Sequence, residues 1–500
     1  MAAMTAQIKT VSSATATRPS VLKSSIERET KLGVDPRFRF PKLPGRPLAP
    51  RLLTSTYYDT PDRRLAQVGI TLRHRFERRR GLWQLKLPAT DGRRELEIAG
   101  GPGNPPLVLR DLLAANLRGG KVVPVATLRT RRTGVRVRGA SGPVADVVVD
   151  IVSVLKDGRV VRRFRELEIE WLGRDKTLEA YLEALLRKAG AGDHDGRSKL
   201  FQAMGWTADS NAAPESDAPV AEQLLFMLRR WVKALLAYDP GTRLGGEIED
   251  LHQMRVAIRR LRALLRAAGP LLNPEWTVPL RAELAWAGGL LGPARDLDVQ
   301  AAYFRAEAAT LKSRDRRPLE RFIEQLRRER EVAQRALVDG LRSSRYSELI
   351  ATLTRATRAL PLVASDQTLS RIAACQFRKL RKAMKQIGRS PTDAELHRIR
   401  IRTKRARYAS ELAQPSMGKP AARFVEQARR FQDLLGIHQD AVTAENHIRA
   451  FVERTKGLRT AFVAGRMVER QRQRRDSARA ALASQWGKLK RRGKKTWDSV

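Results

Sequence analysis

Two rhythms of apolar and polar positions divide the chain. Up to about residue 206, short runs alternate with period two between Gly and Pro turns: Ile26–Leu32, Thr71–Glu77, Leu82–Leu87, Arg93–Ile98, Ala145–Val152 and Arg165–Trp171. Alternation of this kind predicts antiparallel strands, with helices near Pro106–Asn116 and Thr177–Ala189. Past Val220, apolar residues recur at three and four, proline is sparse, and Leu, Ala and Arg dominate. That half should be all helical. The stretch Thr207–Val220 is small, polar and acidic with two prolines, and reads as a linker.

The helical half repeats itself. Leu251–Leu265 reads LHQMRVAIRRLRALL and Leu396–Ser410 reads LHRIRIRTKRARYAS, while Leu290–Asp296 (LLGPARD) answers Leu434–Asp440 (LLGIHQD). The two landmarks recur at offsets of 145 and 144 residues, as expected of a duplicated helical unit and too long for a solenoid repeat. On a helix, positions 0, 3, 7, 10 and 14 lie along one stripe. His252, Arg255, Arg259, Arg262 and Arg266 occupy such a stripe, and His397, Arg400, Lys404 and Arg407 take the matching positions in the repeat. A solvated basic face explains one such helix. Stacked like charges in two distant segments favour a groove filled by an anion, because arginine forks suit phosphate oxygens.

Charge sharpens this picture. The chain has 97 Lys+Arg against 53 Asp+Glu, a net +44, so nucleic acid, an anionic membrane or polyphosphate would all be attracted. Apolar content is ordinary for a globular chain, which excludes wholesale disorder. The lone Cys375 excludes an intramolecular disulfide, and the six histidines show no HxxxH pair for zinc. No apolar run approaches the roughly 18 residues of a membrane span, and the first 25 residues lack the apolar centre of a secretory signal. A cytoplasmic protein is the default expectation.

In the strand half, residues of equal parity share a face. Glu27, Glu29 and Lys31 lie together, as do Arg73, Arg75 and Glu77; Lys86 with Gln84; Arg93, Glu95 and Glu97; Arg129 and Arg131; Asp146 and Asp150; and Glu166, Glu168 and Glu170. The opposite faces carry Trp83, Leu85, Leu96, Val147, Val149, Leu167 and Ile169. One charged face is simply a wet face, but clustered charge on seven strands, with both signs recurring inside single strands, suggests a polar lumen whose exterior packs on helices.

The ordered set ERETK (Glu27, Glu29, Lys31), Arg73/Arg75, Lys86, the R-x-E-x-E strand, Arg129/Arg131, Asp150, ELEIE and Ser198-Lys199 resembles the CYTH family, the triphosphate tunnel metalloenzymes. The resemblance implies an eight-stranded antiparallel β tunnel that binds a linear triphosphate with Mg²⁺ or Mn²⁺. By it, Lys31, Arg73, Arg75, Lys86, Arg129, Arg131 and Lys199 hold phosphate oxygens, and Glu27, Glu29, Glu168 and Glu170 are metal ligands. Glu95, Glu97, Asp150 and Glu166 would orient those groups or the attacking water. The paired HxxRxxxR-type segments are similar to the CHAD family, the conserved-histidine α-helical domains. That likeness implies two four-helix bundles and a basic groove for inorganic polyphosphate, lined by His252, Arg255, Arg259, Arg262, Arg266, His397, Arg400, Lys404 and Arg407.

The expected organisation is therefore a disordered tail (1–21), a CYTH-like α+β domain (22–206), a linker (207–220), an all-α CHAD-like domain (221–455) and a basic tail (456–500), helical or frayed. The leading expectation is a metal-dependent hydrolase of triphosphate or polyphosphate ends coupled to a polyphosphate-binding domain. The alternative is a non-catalytic scaffold at polyphosphate granules. Nucleic acid is disfavoured: single-strand readers interleave aromatics with cations, and no aromatic interrupts His252–Arg266.

Overall fold

A computed structural model describes residues 22–498, apart from 36, 91, 140, 141, 207–211 and 456. The tail expected over 1–21 and the first part of the expected linker lie outside the described residues. The chain divides into two compact units, one comprising everything up to Ala212 with Leu236–Asp250, the other Ala213–Leu235 and everything from Leu251.

The first unit is built on one antiparallel sheet: β1 Lys23–Glu27, β2 Glu29–Gly33, β3 Gly45–Asp59, β4 Thr71–Glu77, β5 Arg80–Ala89, β6 Gly92–Ala99, β7 Val123–Gly139, β8 Gly142–Lys156, β9 Arg159–Trp171 and β10 Gly192–Asp193. Short helices join them: α1 Arg64–Gln67, α2 Leu107–Leu112, α3 Ala114–Leu117, α4 Lys176–Lys188 and α5 Lys199–Met204. The spatial order is β1-β6-β5-β4-β3-β7-β8-β9-β2-β10. Because β1 and β2 are separated only by Arg28, chain continuity joins the two ends of the sheet and closes it on itself.

The sheet has ten strands rather than the eight expected. The first segment splits at Arg28, whose carbonyl accepts from Trp171 N at 2.8 Å while its guanidinium reaches Glu179 at 2.9 Å. The two-residue β10 then extends the edge beyond β2. Closure follows from the side chains. Leu32, Val147, Val149, Leu167 and Ile169 face outward and bury against Leu182 and Leu186 of α4, which leaves the charged parity for the interior.

From Val220 on the chain is helical: α6 Val220–Leu244, α7 Ile248–Ala267, α8 Pro274–Ala309, α9 Ser313–Arg342, α10 Ser344–Ala356, α11 Leu369–Gln386, α12 Asp393–Met417, α13 Lys419–Arg454 and α14 Leu458–Trp497, with a short 3₁₀ turn at Gly269–Leu271; the end of α6 and the start of α7 group with the first unit and the rest form the second. The duplication is visible in the element starts: α7, α8 and α9 begin at 248, 274 and 313, and α12, α13 and α14 at 393, 419 and 458. Met254 in α7 and Ile399 in α12 fill matching core positions of the two repeats, each 2% exposed or less. Residues 458–497 form one 40-residue helix. Met467 packs with Phe304, Phe322 and Phe451, while Arg466 pairs with Asp315 at 3.1 Å and Arg475 with Glu445 at 3.1 Å. Much of the tail's charge is thus tied to the bundle.

Candidate functional site: a charged strand lumen and a basic helical stripe

Strand register decides which charges meet. Lys31 lies opposite Glu168 and Glu29 opposite Glu170; Lys86 opposite Glu95; Arg132 opposite Asp150. With the outward residues committed to the core, the inner face carries Glu27, Glu29, Lys31, Arg73, Arg75, Lys86, Glu95, Glu97, Asp150, Glu166, Glu168 and Glu170. Lys199 enters from α5: its Nζ lies 2.7 Å from Glu168, 2.8 Å from Asp150 and 3.6 Å from Glu166. Lys31 Nζ donates to Glu166 and Glu168, each at 2.7 Å, and Lys86 pairs with Glu27.

Arg129 and Arg131 are corrected by the structure. Both are exposed on the outer face, Arg131 opposite the exposed Ile151. The lumen arginine of β7 is Arg132, which forks onto Asp150 at 2.8 Å through Nε and Nη2, donates to Glu168 at 2.6 Å and also pairs with Glu170. A signal for it existed. Arg132 and Arg136 are spaced by four, as are Asp146 and Asp150, and antiparallel pairing of β7 with β8 sets Arg136 opposite Asp146 and Arg132 opposite Asp150. Tyr57 and His194 were missed, and Gln84 was placed on the Lys86 face without a role: Arg73 donates to Gln84 at 2.7 Å and to Tyr57 at 3.2 Å, Gln84 donates to Glu97 at 2.5 Å, and His194 lies 3.4 Å from Glu166.

Burial alone would neutralise Glu168, but Lys199, Lys31 and Arg132 hold its carboxyl well below the usual range. Burial likewise opposes the charge on Lys31, and Glu168, Glu166 and Glu29 together hold it well above the usual range. Two groups escape this mutual neutralisation. Burial, and then the charge of Arg73, push Arg75 down to about 10, and its buried Nε has no hydrogen-bond partner. Burial raises Glu29 despite Lys31, and Glu168 and Glu27 add to the rise.

The wide end of the lumen is a cavity of about 900 Å³ bordered by Lys23, Arg51, Arg75, Glu77, Arg132 and Glu170, with no aromatic side chain among its lining residues. The other end has an apolar floor of Tyr57, Leu128, Val152 and Val154, sealed by Leu200 from α5. Ser198 caps that helix through Phe201 N at 3.3 Å and so fixes Lys199 at its first turn.

Among the described residues, no three His, Cys, Asp or Glu side chains are grouped closely enough to hold a metal ion as they stand. The donor set is nonetheless suited to a hard cation. Burial, and then the neighbouring Glu168 and Glu27, disfavour the charge on Glu29, and Glu95 Oε1 and Glu166 Oε2 are buried with no hydrogen-bond partner.

In the helical unit, α7 and α12 bring the two stripes together. Arg255 pairs with Asp296 at 2.6 Å, His397 Nδ1 lies 2.8 Å from Gln439, and Asp440 is the carboxylate acting on Arg400, whose Nε has no partner. Arg259 and Arg262 are exposed, and His252 is half-buried. Arg407 departs from its expected place. It is 7% exposed, with its guanidinium 4.6 Å from the Tyr408 ring and Nε 3.7 Å from Glu411, so it supports the stripe from below. Burial, and then Arg400, Arg259, Arg255 and Arg407, push the Lys404 ammonium down to about 7.

A pH dependence follows. Without ligand, Lys404 loses its proton as pH rises through about 7; a polyanion in the groove favours the charged form, so binding above that pH takes up a proton. Affinity for such a polyanion should fall by up to about tenfold per pH unit from 7 to about 8.5. Lys404→Arg should flatten the slope in titrations at constant ionic strength; equal slopes would remove Lys404 from the site.

Comparison with known proteins divides the chain at the same place. Residues 25–198 match the family model of the CYTH domain and residues 226–449 that of the CHAD domain. An uncharacterized protein of Mycobacterium tuberculosis, MT2285, is 29% identical over 480 residues, covering 89% of this chain and 91% of its own. Among solved structures, PptA from Streptomyces chartreusis is 22% identical with a TM-score of 0.45, covering 55% of this chain and 99% of its own. The CHAD domain from the plant Ricinus communis is 25% identical with a TM-score of 0.44, covering 55% and 95%.

Proposed function

For a chain that carries a CYTH domain followed by a CHAD domain, we propose a metal-dependent hydrolase of inorganic triphosphate or polyphosphate ends, joined to a helical polyphosphate-binding region. One observation carries this reading: cations from separate elements converge on a closed lumen in which half-buried Arg75 keeps a buried Nε without a hydrogen-bond partner. Such a guanidinium is poised for a phosphate oxygen. The absence of an aromatic ring from the cavity lining favours an inorganic chain over a nucleotide.

Lys31, Arg73, Arg75, Lys86, Arg132 and Lys199 would bind and align phosphate oxygens. Glu27, Glu29, Glu168 and Glu170 would hold Mg²⁺ or Mn²⁺, which when bound supplies neutralisation of phosphate charge. Glu95, Glu97, Asp150 and Glu166 would position those cations and the attacking water, since phosphoryl transfer needs chiefly alignment and charge stabilisation. The helical stripe would keep a long chain near the lumen and raise its effective concentration.

The test is phosphate release from tripolyphosphate, long polyphosphate, ATP and thiamine triphosphate, with Mg²⁺ or Mn²⁺ and with chelator. Release should be strongest on the inorganic chains, vanish with chelator, and be lost in Lys86→Ala. Wild-type rates in Lys86→Ala or in chelator would remove the hydrolase.

A second reading has its own support. The lumen carboxylates already engage Lys31, Arg132 and Lys199, and no three-donor cluster stands ready among the described residues. A non-catalytic polyphosphate-binding scaffold would show tight metal-independent binding and no turnover.

A further inference from the structure

The two stripe helices are not electrostatically equivalent. Aligned at 145 residues, α7 and α12 bury the same positions: Leu261 with Ala406, and Leu265 with Ser410. On that alignment Arg260 corresponds to Arg405, and Glu411 to Arg266. Where the helices meet on one side, Arg260 pairs with Glu411 and lies 4.9 Å over the Tyr408 ring. At the twin position the carboxylate is replaced by an arginine, and the charge of Arg405 acts on Arg266.

The charged groups acting on Arg266 are Arg405, Arg281 and Arg262, and those acting on Arg405 are Arg402 and Arg281. Arg281 Nε and Arg405 Nε are buried with no hydrogen-bond partner. Five guanidinium groups from α7, α8 and α12 thus share one region with no carboxylate among the groups acting on Arg266 and Arg405. Like charges this close repel, and buried donors without acceptors oppose folding, unless an anion completes the set.

We infer that Arg281, Arg402 and Arg405 join the stripe residues Arg262 and Arg266 in a further phosphate-group subsite, created where the duplicated helices lost their interhelical ion pair. It rests on reading this unit as a polyphosphate binder. Tetrahedral oxyanions suit it because forked donors from several helices can grip one group bidentately. Its occupant is a phosphate group, either of a chain leaving the stripe or of free orthophosphate.

The full-length protein would be titrated with long polyphosphate and with orthophosphate at matched salt, comparing Arg266→Glu and Arg281→Gln with a charge-reversal control at exposed Arg314 (Arg314→Glu). Arg266→Glu should restore the ion pair of the twin position, raise the ligand-free Tm, and weaken polyphosphate binding about tenfold; Arg281→Gln should weaken it less. Loss for both probes assigns a free-phosphate site, and loss for polyphosphate alone assigns a chain subsite. If both variants bind both probes as the Arg314→Glu control does, the site does not exist, whatever Arg266→Glu does to Tm. Failure of the stripe itself is read separately, from retained binding after loss of Arg255, Arg259, Arg400 and Lys404.

Discussion

Glu29→Gln should lower metal-dependent phosphate release from tripolyphosphate by about 10²-fold or more while making the ligand-free protein more stable. The rate loss follows from removing one charged oxygen donor where the lumen has its least neutralised carboxylate; losing a preorganised electrostatic contact in a closed site typically costs about 10²–10³. The stability gain has the opposite origin. Burial, with Glu168 and Glu27, raises the Glu29 pKa above its unfolded value. Its ionisation therefore weakens the fold as pH rises through the carboxylate range, and the penalty is complete at neutral pH. Glutamine removes it, and Tm should rise by roughly 2–4 °C for each kcal/mol relieved. Initial rates and thermal unfolding on the same preparation check both halves. A wild-type rate would release Glu29 from the site; a lower Tm would show that its charge is compensated.

Replacing Arg255, Arg259, Arg400 and Lys404 together by alanine should weaken polyphosphate binding by about 10³-fold or more, since each charge-assisted hydrogen bond contributes roughly 1.5–3 kcal/mol. Solubility is not at risk, because the chain retains a large positive excess. Of the four, Arg255 has an ion-pair partner to release, Asp296, which is exposed and can hydrate. Unchanged affinity in a titration with long polyphosphate would refute the stripe.

Legibility in the sequence was uneven for physical reasons. Strands such as β5 and β9, whose inner charges alternate with Trp83, Leu85, Leu167 and Ile169, declare both element and face. The 15-residue β3 does not: Pro47 and Pro50 interrupt its first half, so its contribution of Tyr57 to the lumen went unseen. In β7, arginines occupy both parities, and only pairing across the turn to β8 separates Arg132 from Arg129 and Arg131. Local sequence cannot supply that, because register is a property of two strands. The last helix was hidden by its charge: apolar anchors such as Met467, Leu482 and Leu489 are diluted among arginines whose acidic partners lie on other helices. Lys31, Lys86, Lys199 and the acidic lumen residues were legible because their order along the chain, and not any single spacing, is distinctive.

The greasy floor beneath Lys199 turns the strand channel into a blind alley. A polymer cannot be threaded through it, so cutting would proceed inward from a terminus, one bite per visit. On the hydrolase reading proposed above, spent fragments would leave by the doorway that admits the next chain. Orthophosphate accumulating in that vestibule should therefore act as a competitive inhibitor, and the middle of a long chain or a ring of phosphates should escape attack.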